Sequence, residues 1–203
     1  MALKMSLAWL QLARERTRLL VALSGIGFAN ILMFVQLGFL HALFKSSVRI
    51  HESLQGDIFL INPQSVAWIS MKPFSERRLH QAMGFEGVES ISSIYLDFAQ
   101  WKNPQTRKTR NIFVIGFNPK EPVFDLPEVQ QYADKLKTPD VVLFDEGSRA
   151  EFGSVSADFY QGKQITTEVE NRRITVEGLF KLGPSFGADG NLITSDLNWV
   201  FRI

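Results

Sequence analysis

"RLLVALSGIGFANILMFVQLGFLHALFKSS", residues 18–47, decides how this chain is read. Leu19 to Phe44 is 26 residues without a Lys, Arg, Asp or Glu. About 20 apolar residues in a helix cross the hydrocarbon core of a bilayer. The run is therefore long enough to span with some tilt. A cleaved secretory signal carries a shorter apolar region and a small-residue cleavage site, and the exit "HALFKSS" offers no convincing one. An uncleaved anchor is the leading reading, with a signal peptide and a buried core helix as its competitors.

The flanks orient the span. Lys4, Arg14, Arg16 and Arg18 precede it against one acid, Glu15, while Lys45 and Arg49 follow. Basic residues accumulate on the cytoplasmic side. The bias puts the amino terminus in the cytoplasm and the bulk of the chain outside, and Lys45 and Arg49 weaken it. Within the run, Gly25, Gly27, Ala29 and Gly38 are small, and Asn30 and Gln36 are uncharged amides. Small residues let helices approach closely, and amides in lipid seek partners. These six are candidate helix-packing positions; an isolated anchor also tolerates them. Upstream, "MALKMSLAWLQLARERTR" sets Leu3, Leu7 and Leu10 on one stripe beside Trp9. That predicts an interfacial amphipathic helix over residues 1–18, with Trp9 at headgroup level and Arg14, Arg16 and Arg18 near anionic lipid. A cytosolic start of the spanning helix is the alternative.

The whole chain has 203 residues and a formal charge of +1. Its mean hydropathy is close to zero, but only as an average of anchor and polar remainder. So small a net charge provides no strong basic field for a polyanion, which argues against nucleic acid as a partner. Without cysteine, disulfides and thiolate metal sites are excluded.

Beyond residue 45 the pattern is mixed. Asp57 to Ile61 reads as a short strand, and Ser75 as the cap of a helix running to Met83 and ended by Gly84. "VESISSIYLDFAQW" and "NIFVIGFN" read as partner strands across the polar turn "NPQTRKTR". "LPEVQQYADKL" reads as one helix with Pro127 in its first turn, "TPDVVLFDEGS" as a strand and turn, and "SRAEFG" as a single helical turn. "KQITTEVENRRITVEGLFKLG" predicts a hairpin turning at Glu170–Asn171, and Leu192 to Thr194 a last strand. The expected fold class is α+β. One amino-terminal transmembrane helix over 19–44 precedes an outer domain over 45–203, divided into a mixed α/β lobe at 57–160 and a β-rich lobe at 163–203.

No catalytic set stands out. There is no phosphate loop, no HExxH and no GxSxG. "GADGN", residues 187–191, reads as a tight turn with glycine at positive φ. His41, His51 and His80 do not converge by spacing, so no metal or cofactor is expected. Asp57, Asp97, Asp140 and Asp145 near strand ends could form an acid pair, though surface and turn roles fit better. The basic turns "RKTR" and "NRR" could meet anionic headgroups or an acidic partner, or simply be solvated.

Several long strings resemble one family. "SLAWLQLARERTRLLVALSGIGFANILMFVQLGF", "LQGDIFLI", "ISMKPFSERRL", "IYLDFAQWKNP", "RNIFVIGFNP", "PDVVLFDEGSRAEFG" and "TEVENRRITVEGLFKLGPSFGADGNLITSD" resemble the DevC family of cyanobacterial ABC exporter permeases, within the MacB/FtsX-like superfamily. The resemblance implies a MacB-like periplasmic domain behind the first spanning helix, in the inner membrane. It implies a separate DevA-like ATPase subunit, a DevB-like periplasmic adaptor leading to a TolC-like outer-membrane channel, and a second permease copy. The cargo implied is a glycolipid. The chain resembles only the amino-terminal half of such permeases, so a truncated or split subunit is expected. The alternative is a standalone membrane-anchored periplasmic binding or adaptor-docking protein; an anchored enzyme is the weakest reading.

Overall fold

The computed structural model describes residues 14–199. The chain divides into two compact units, Met1–Lys45 and Ser46–Ile203. A long helix, α1 (Arg16–Glu52), supplies all the described structure of the first unit and the opening of the second. Its uncharged run explains its continuity: no proline interrupts it and no acid–base pattern marks one face for water. The proposed interfacial helix at residues 1–18 lies mostly outside the described residues; Arg16 and Arg18 belong to α1.

The second unit is built on six strands: β1 (Ile94–Lys102), β2 (Thr109–Phe117), β3 (Val141–Asp145), β4 (Ile165–Val169), β5 (Arg172–Phe180) and β6 (Asn191–Ser195). They close into a barrel in the order β1-β2-β6-β3-β5-β4. β1 and β2 form a full-length antiparallel hairpin, from Ile94↔Phe117 to Lys102↔Thr109. β6 is parallel to β2 and antiparallel to β3, and β3 is parallel to β5. The β4–β5 hairpin turns at Glu170 (φ 50) and Asn171 (φ 63). Two successive left-handed residues give the turn whose twist matches the flanking strands. The ladder between β1 and β4 has one residue pair, Trp101↔Val169, and beside it the Glu170 amide donates to Gln100 O at 3.1 Å. The strands on either side of residue 163 thus share one barrel, and the expected lobe division falls between two of its elements.

β2 is buried from Ile112 to Phe117 and β3 throughout. Phe113, Ile115, Phe117 and Leu143 enter one apolar cluster with Phe124, Leu136, Phe180 and Ile193. Ile112, Val114, Val142 and Phe144 enter a second with Trp101, Phe152, Val155 and Leu192. A sheet covered on both faces needs continuous apolar strands rather than alternating ones, which is why "NIFVIGF" and "VVLFD" contain so little polarity.

Short helices cover the barrel: α2 (Arg77–Met83), α3 (Pro127–Gln131), α4 (Ala133–Leu136), α5 (Val155–Tyr160) and α6 (Asp196–Trp199). Single 3-10 turns lie at Trp68–Ser70 and Ala150–Phe152. Two expectations are corrected. Asp57–Ile61 is not a strand: it has no ladder partner and Ile58 is 86% exposed. Among the described residues the nearest bridge is Leu54↔Phe124. "LPEVQQYADKL" breaks into α3 and α4 at Tyr132, whose φ and ψ are −101 and 7. The break lays the Tyr132 ring over Gly178 of β5. A Cβ on Gly178 would come within 2.5 Å of that ring, beside the β3–β5 register shift at Val142/Leu143. We expect Gly178→Val to destabilise the second unit by about 2–3 kcal/mol through overpacking, read as a lowered denaturant midpoint; an unchanged midpoint would show that Tyr132 yields freely.

Candidate functional site

The sequence-derived helix-packing positions all lie on α1. At about 100° per residue, Gly25, Ala29 and Gln36 fall within about 40° of one another, whereas Gly27 and Gly38 share the opposite side and Asn30 lies between. The six therefore form two stripes rather than one. Nothing outside the helix comes within 4 Å of a Cβ built on Gly25, Gly27 or Gly38. The apolar side chains are open all round, with Leu20 65%, Ile31 62%, Phe34 71% and Phe44 65% exposed. A helix apolar on every side is stable in lipid or inside protein, not in water. It is the one described helix long and apolar enough to cross a membrane. Of the interfacial anchor candidates, Arg18 pairs with Glu15 at 2.7 Å, with both side chains largely in solvent. Arg14 and Arg16 are exposed, and Trp9 lies outside the described residues.

In the second unit the four strand-end aspartates do not pair. Asp97 accepts from the Phe98 amide at 2.7 Å, and Asp140 forms an ion pair with Arg172. Asp57 sits in an exposed bend. Asp145 is wholly buried. Its carboxylate accepts hydrogen bonds from the amides of Gly147 (2.9 Å), Leu182 (3.1 Å) and Gly183 (2.8 Å), and from Asn191 Nδ2 (2.6 Å). This bracket ties the ends of β3 and β5 to the start of β6. The backbones approach closely there: a Cβ on Gly147 would lie 2.6 Å from Gly183 Cα. Asp145 is a structural acceptor, with every oxygen committed to the fold.

"GADGN" is also corrected. Neither Gly187 nor Gly190 has positive φ; the left-handed glycine nearby is Gly183, at φ 82. The small residues are needed for space, since a Cβ on Gly187 would strike Ile69 Cδ1 at 2.3 Å. The loop's acid, Asp189, is held by Arg110 (2.7 Å) and Arg149 (2.8 Å). The basic turn 107–110 is likewise engaged internally, with Arg107 on Glu168 at 2.8 Å.

Glu168 joins the barrel seam, reaching Lys102 of β1 at 2.7 Å. Hydrogen bonds from Lys102 and then Arg107 hold its carboxyl below the usual glutamate range. A depressed folded-state value means that the contribution to stability is present above the unfolded-state value and is lost as pH falls through the folded one. The melting difference between wild type and Glu168→Gln is therefore expected to be constant near neutrality and to shrink toward zero in acid. A difference independent of pH would show that the seam does not use the charge.

One cleft of this unit, beside α2 and β1, has a volume of about 260 Å³. Glu76 and His80 reach it from the α2 region, Tyr95 from β1, Asn118 and Glu121 from the loop after β2, and Asp196 from α6. Asn118 Nδ2 donates to Glu121 Oε1 at 2.8 Å. Burial, with Glu76 and Asp196 adding to it, pushes the Tyr95 phenol above its ordinary range. Sequence reasoning missed this cleft because its walls come from four separated segments with no motif among them. His41 and His51 lie on α1, His51 in its last turn, whereas His80 belongs to α2. Among the described residues no group of three or more His, Asp or Glu is placed to hold a metal ion.

The fold so defined is a barrel-bearing α+β unit behind a helix able to span a membrane. No family model matches the chain, and no curated protein matches it. A solved structure, the extracellular domain of the noncanonic ABC-type transporter YknZ from Gram-positive bacteria, aligns at 13% identity with a TM-score of 0.43. The alignment covers 64% of this chain and 66% of that one, just under two thirds of the solved chain. A likeness this distant carries no assignment of activity.

Proposed function

We propose that this chain is a membrane-anchored, permease-like subunit of an ABC-type exporter, with its barrel-bearing unit on the extracytoplasmic side. The observation that carries the reading is α1: 26 consecutive uncharged residues whose apolar side chains find no cover within the described residues. The basic residues before the run support an amino terminus in the cytoplasm. Gly25, Ala29 and Gln36 on one stripe, and Gly27 and Gly38 on the other, are suited to receive two neighbouring helices, with Asn30 as a polar contact between them. Trp9, Arg14, Arg16 and Arg18 serve as interfacial anchors at the cytoplasmic headgroups.

The finer reading rests on the DevC-like strings alone. In it, a DevA-like ATPase drives the helices, the unit beyond residue 45 docks a DevB-like adaptor, and a TolC-like channel completes the route for a glycolipid. No residue of the chain is assigned to bond-breaking chemistry; its role is to transmit motion and present a docking surface. A reporter enzyme active only outside the cytoplasm, fused after Ser195, is expected to be active, and the chain to sediment with membranes after alkaline washing. An expressed but inactive reporter, or release of the chain into the soluble fraction, would overturn the reading. Co-purification with an ATPase subunit separates the permease from a standalone anchored docking protein, which would be captured with an adaptor alone.

A further inference from the structure

The loop between β5 and β6, residues 181–190, is tied to the end of α1 just past its uncharged run. Arg49 donates to Leu182 O and Pro184 O at 3.1 and 3.2 Å, and the Phe186 amide donates to Ser46 Oγ at 2.7 Å. The loop is also closed on itself: the Ser185 amide donates to Ala188 O (2.8 Å), and the Ala188 amide to Ser185 Oγ (3.1 Å). These bonds use backbone groups of the loop and the Ser185 hydroxyl, so none depends on the Phe186 ring. That ring is 75% exposed. Beside it Ile69, 38% exposed, is seated over Gly187, on a 3-10 turn whose Trp68 packs against the first core cluster. Two large apolar side chains are therefore held out from neighbouring, braced positions.

A single exposed phenylalanine needs no explanation; the place of this one does. Ser46 lies two residues beyond Phe44, the end of the uncharged run, in the same unbroken helix. Two residues add about 3 Å along a helix axis, and each headgroup layer of a bilayer is about 5–8 Å deep. The run is about 39 Å long against a hydrocarbon core of about 30 Å, so tilt takes up the surplus or the two ends share it. In both cases Ser46 stays within about 8 Å of the hydrocarbon boundary, and so does the loop residue bonded to it. Round the helix, Val48 stands about 160° from Ser46 and is 42% exposed. Ser46 and Arg49, about 60° apart, make the opposite face polar, and it is on this face that the loop adds Phe186. Apolar surface thus flanks the exit of α1 on both sides. Lys45, exposed and next in the chain, places an ammonium at the depth of lipid phosphates.

We propose that Phe186, supported by Ile69, is a lipid-docking tip that enters the headgroup layer of the leaflet from which α1 emerges, giving the barrel a second foothold on the bilayer. The occupant is phospholipid rather than protein, because the tip prolongs the helix surface that lipid covers and Lys45 matches the phosphates. Aromatic and aliphatic side chains in this layer bury their apolar bodies at the headgroup–acyl boundary. The inference rests on the spanning reading of α1 proposed above and goes beyond it by assigning a membrane contact to the β5–β6 loop.

The chain contains no cysteine, so one introduced thiol is unique. The test is electron paramagnetic resonance of a nitroxide on Phe186→Cys, in the full chain reconstituted in nanodiscs of phosphatidylcholine and phosphatidylglycerol in equal parts. Collision with oxygen, which concentrates in lipid, is compared with collision with a water-soluble nickel chelate. Leu40→Cys, inside the uncharged run, is the lipid reference. Arg173→Cys, exposed near the start of β5, is the water reference; it lies about 20 Å along the strand from the loop. The oxygen-to-nickel ratio at position 186 is expected to be several-fold above that at 173 and to approach that at 40. A ratio at 186 equal to that at 173, with the Leu40 label in lipid, would overturn the docking and leave the spanning helix intact. A label at 186 screened from both reagents would also overturn it, since that face would then be covered by a second copy or another subunit. A Leu40 label that behaves as in water would overturn the span itself, and the docking with it.

Discussion

Ile31→Arg combined with Val35→Arg is expected to abolish stable membrane insertion. Both positions lie near the middle of the uncharged run, at 62% and 61% exposure, one helical turn apart. At the centre of a spanning helix each arginine costs about 2.5–3.5 kcal/mol on insertion scales, and each lost aliphatic side chain adds a few tenths. The double change therefore costs roughly 6 kcal/mol or more. From the centre, arginine side chains cannot reach either headgroup layer without deforming the bilayer. Alkaline carbonate extraction should move the double variant from the membrane pellet to the soluble or degraded fraction. Retention in the pellet, with a reporter after Ser195 still outside, would show that α1 is held by protein rather than lipid. A matched pair of leucines at the same positions should leave fractionation unchanged.

The second large effect is expected in the barrel. Asp145→Ala removes a buried carboxylate that satisfies three backbone amides and the Asn191 amide. Leaving buried donors without acceptors costs about 1–3 kcal/mol each, partly recovered by relaxation or water. We expect a loss of about 3–5 kcal/mol, at the severe end for a single substitution. Asp145→Asn keeps the shape and one oxygen but aims N–H groups at other donors, so its loss should be intermediate. Urea unfolding of the full chain in detergent, followed by far-UV circular dichroism, reads both. If Asp145→Ala unfolds at the wild-type midpoint, the bracket does not hold the ends of β3, β5 and β6 together.

Most of the local structure was legible in the residues. The strand pair either side of "NPQTRKTR" and the hairpin at Glu170–Asn171 fell where β-branched and aromatic runs flank polar turns. The helix ending at Gly84 was legible from its end signals, and "SRAEFG" does form a single turn. Asp57–Ile61 misled because "DIFLI" has strand composition, yet a strand exists only where an edge is available to pair with it, and none reaches this segment. Tyr132 broke an apparently continuous helix because a glycine 46 positions later in sequence left room for its ring. The cleft around Tyr95 gave no sequence signal, because its members come from segments that only the fold brings together.

The sequence by itself determined the span. Length, absence of charge and basic flanks are local properties, and the bilayer reads them without reference to any other part of the chain. Only the tertiary structure decided that six strands close into one barrel and that Asp145 is a bracket rather than half of an acid pair. Those outcomes depend on non-local strand pairing and close backbone approach. The free energy of such contacts is set by partners far away in the chain, and no window of sequence contains it.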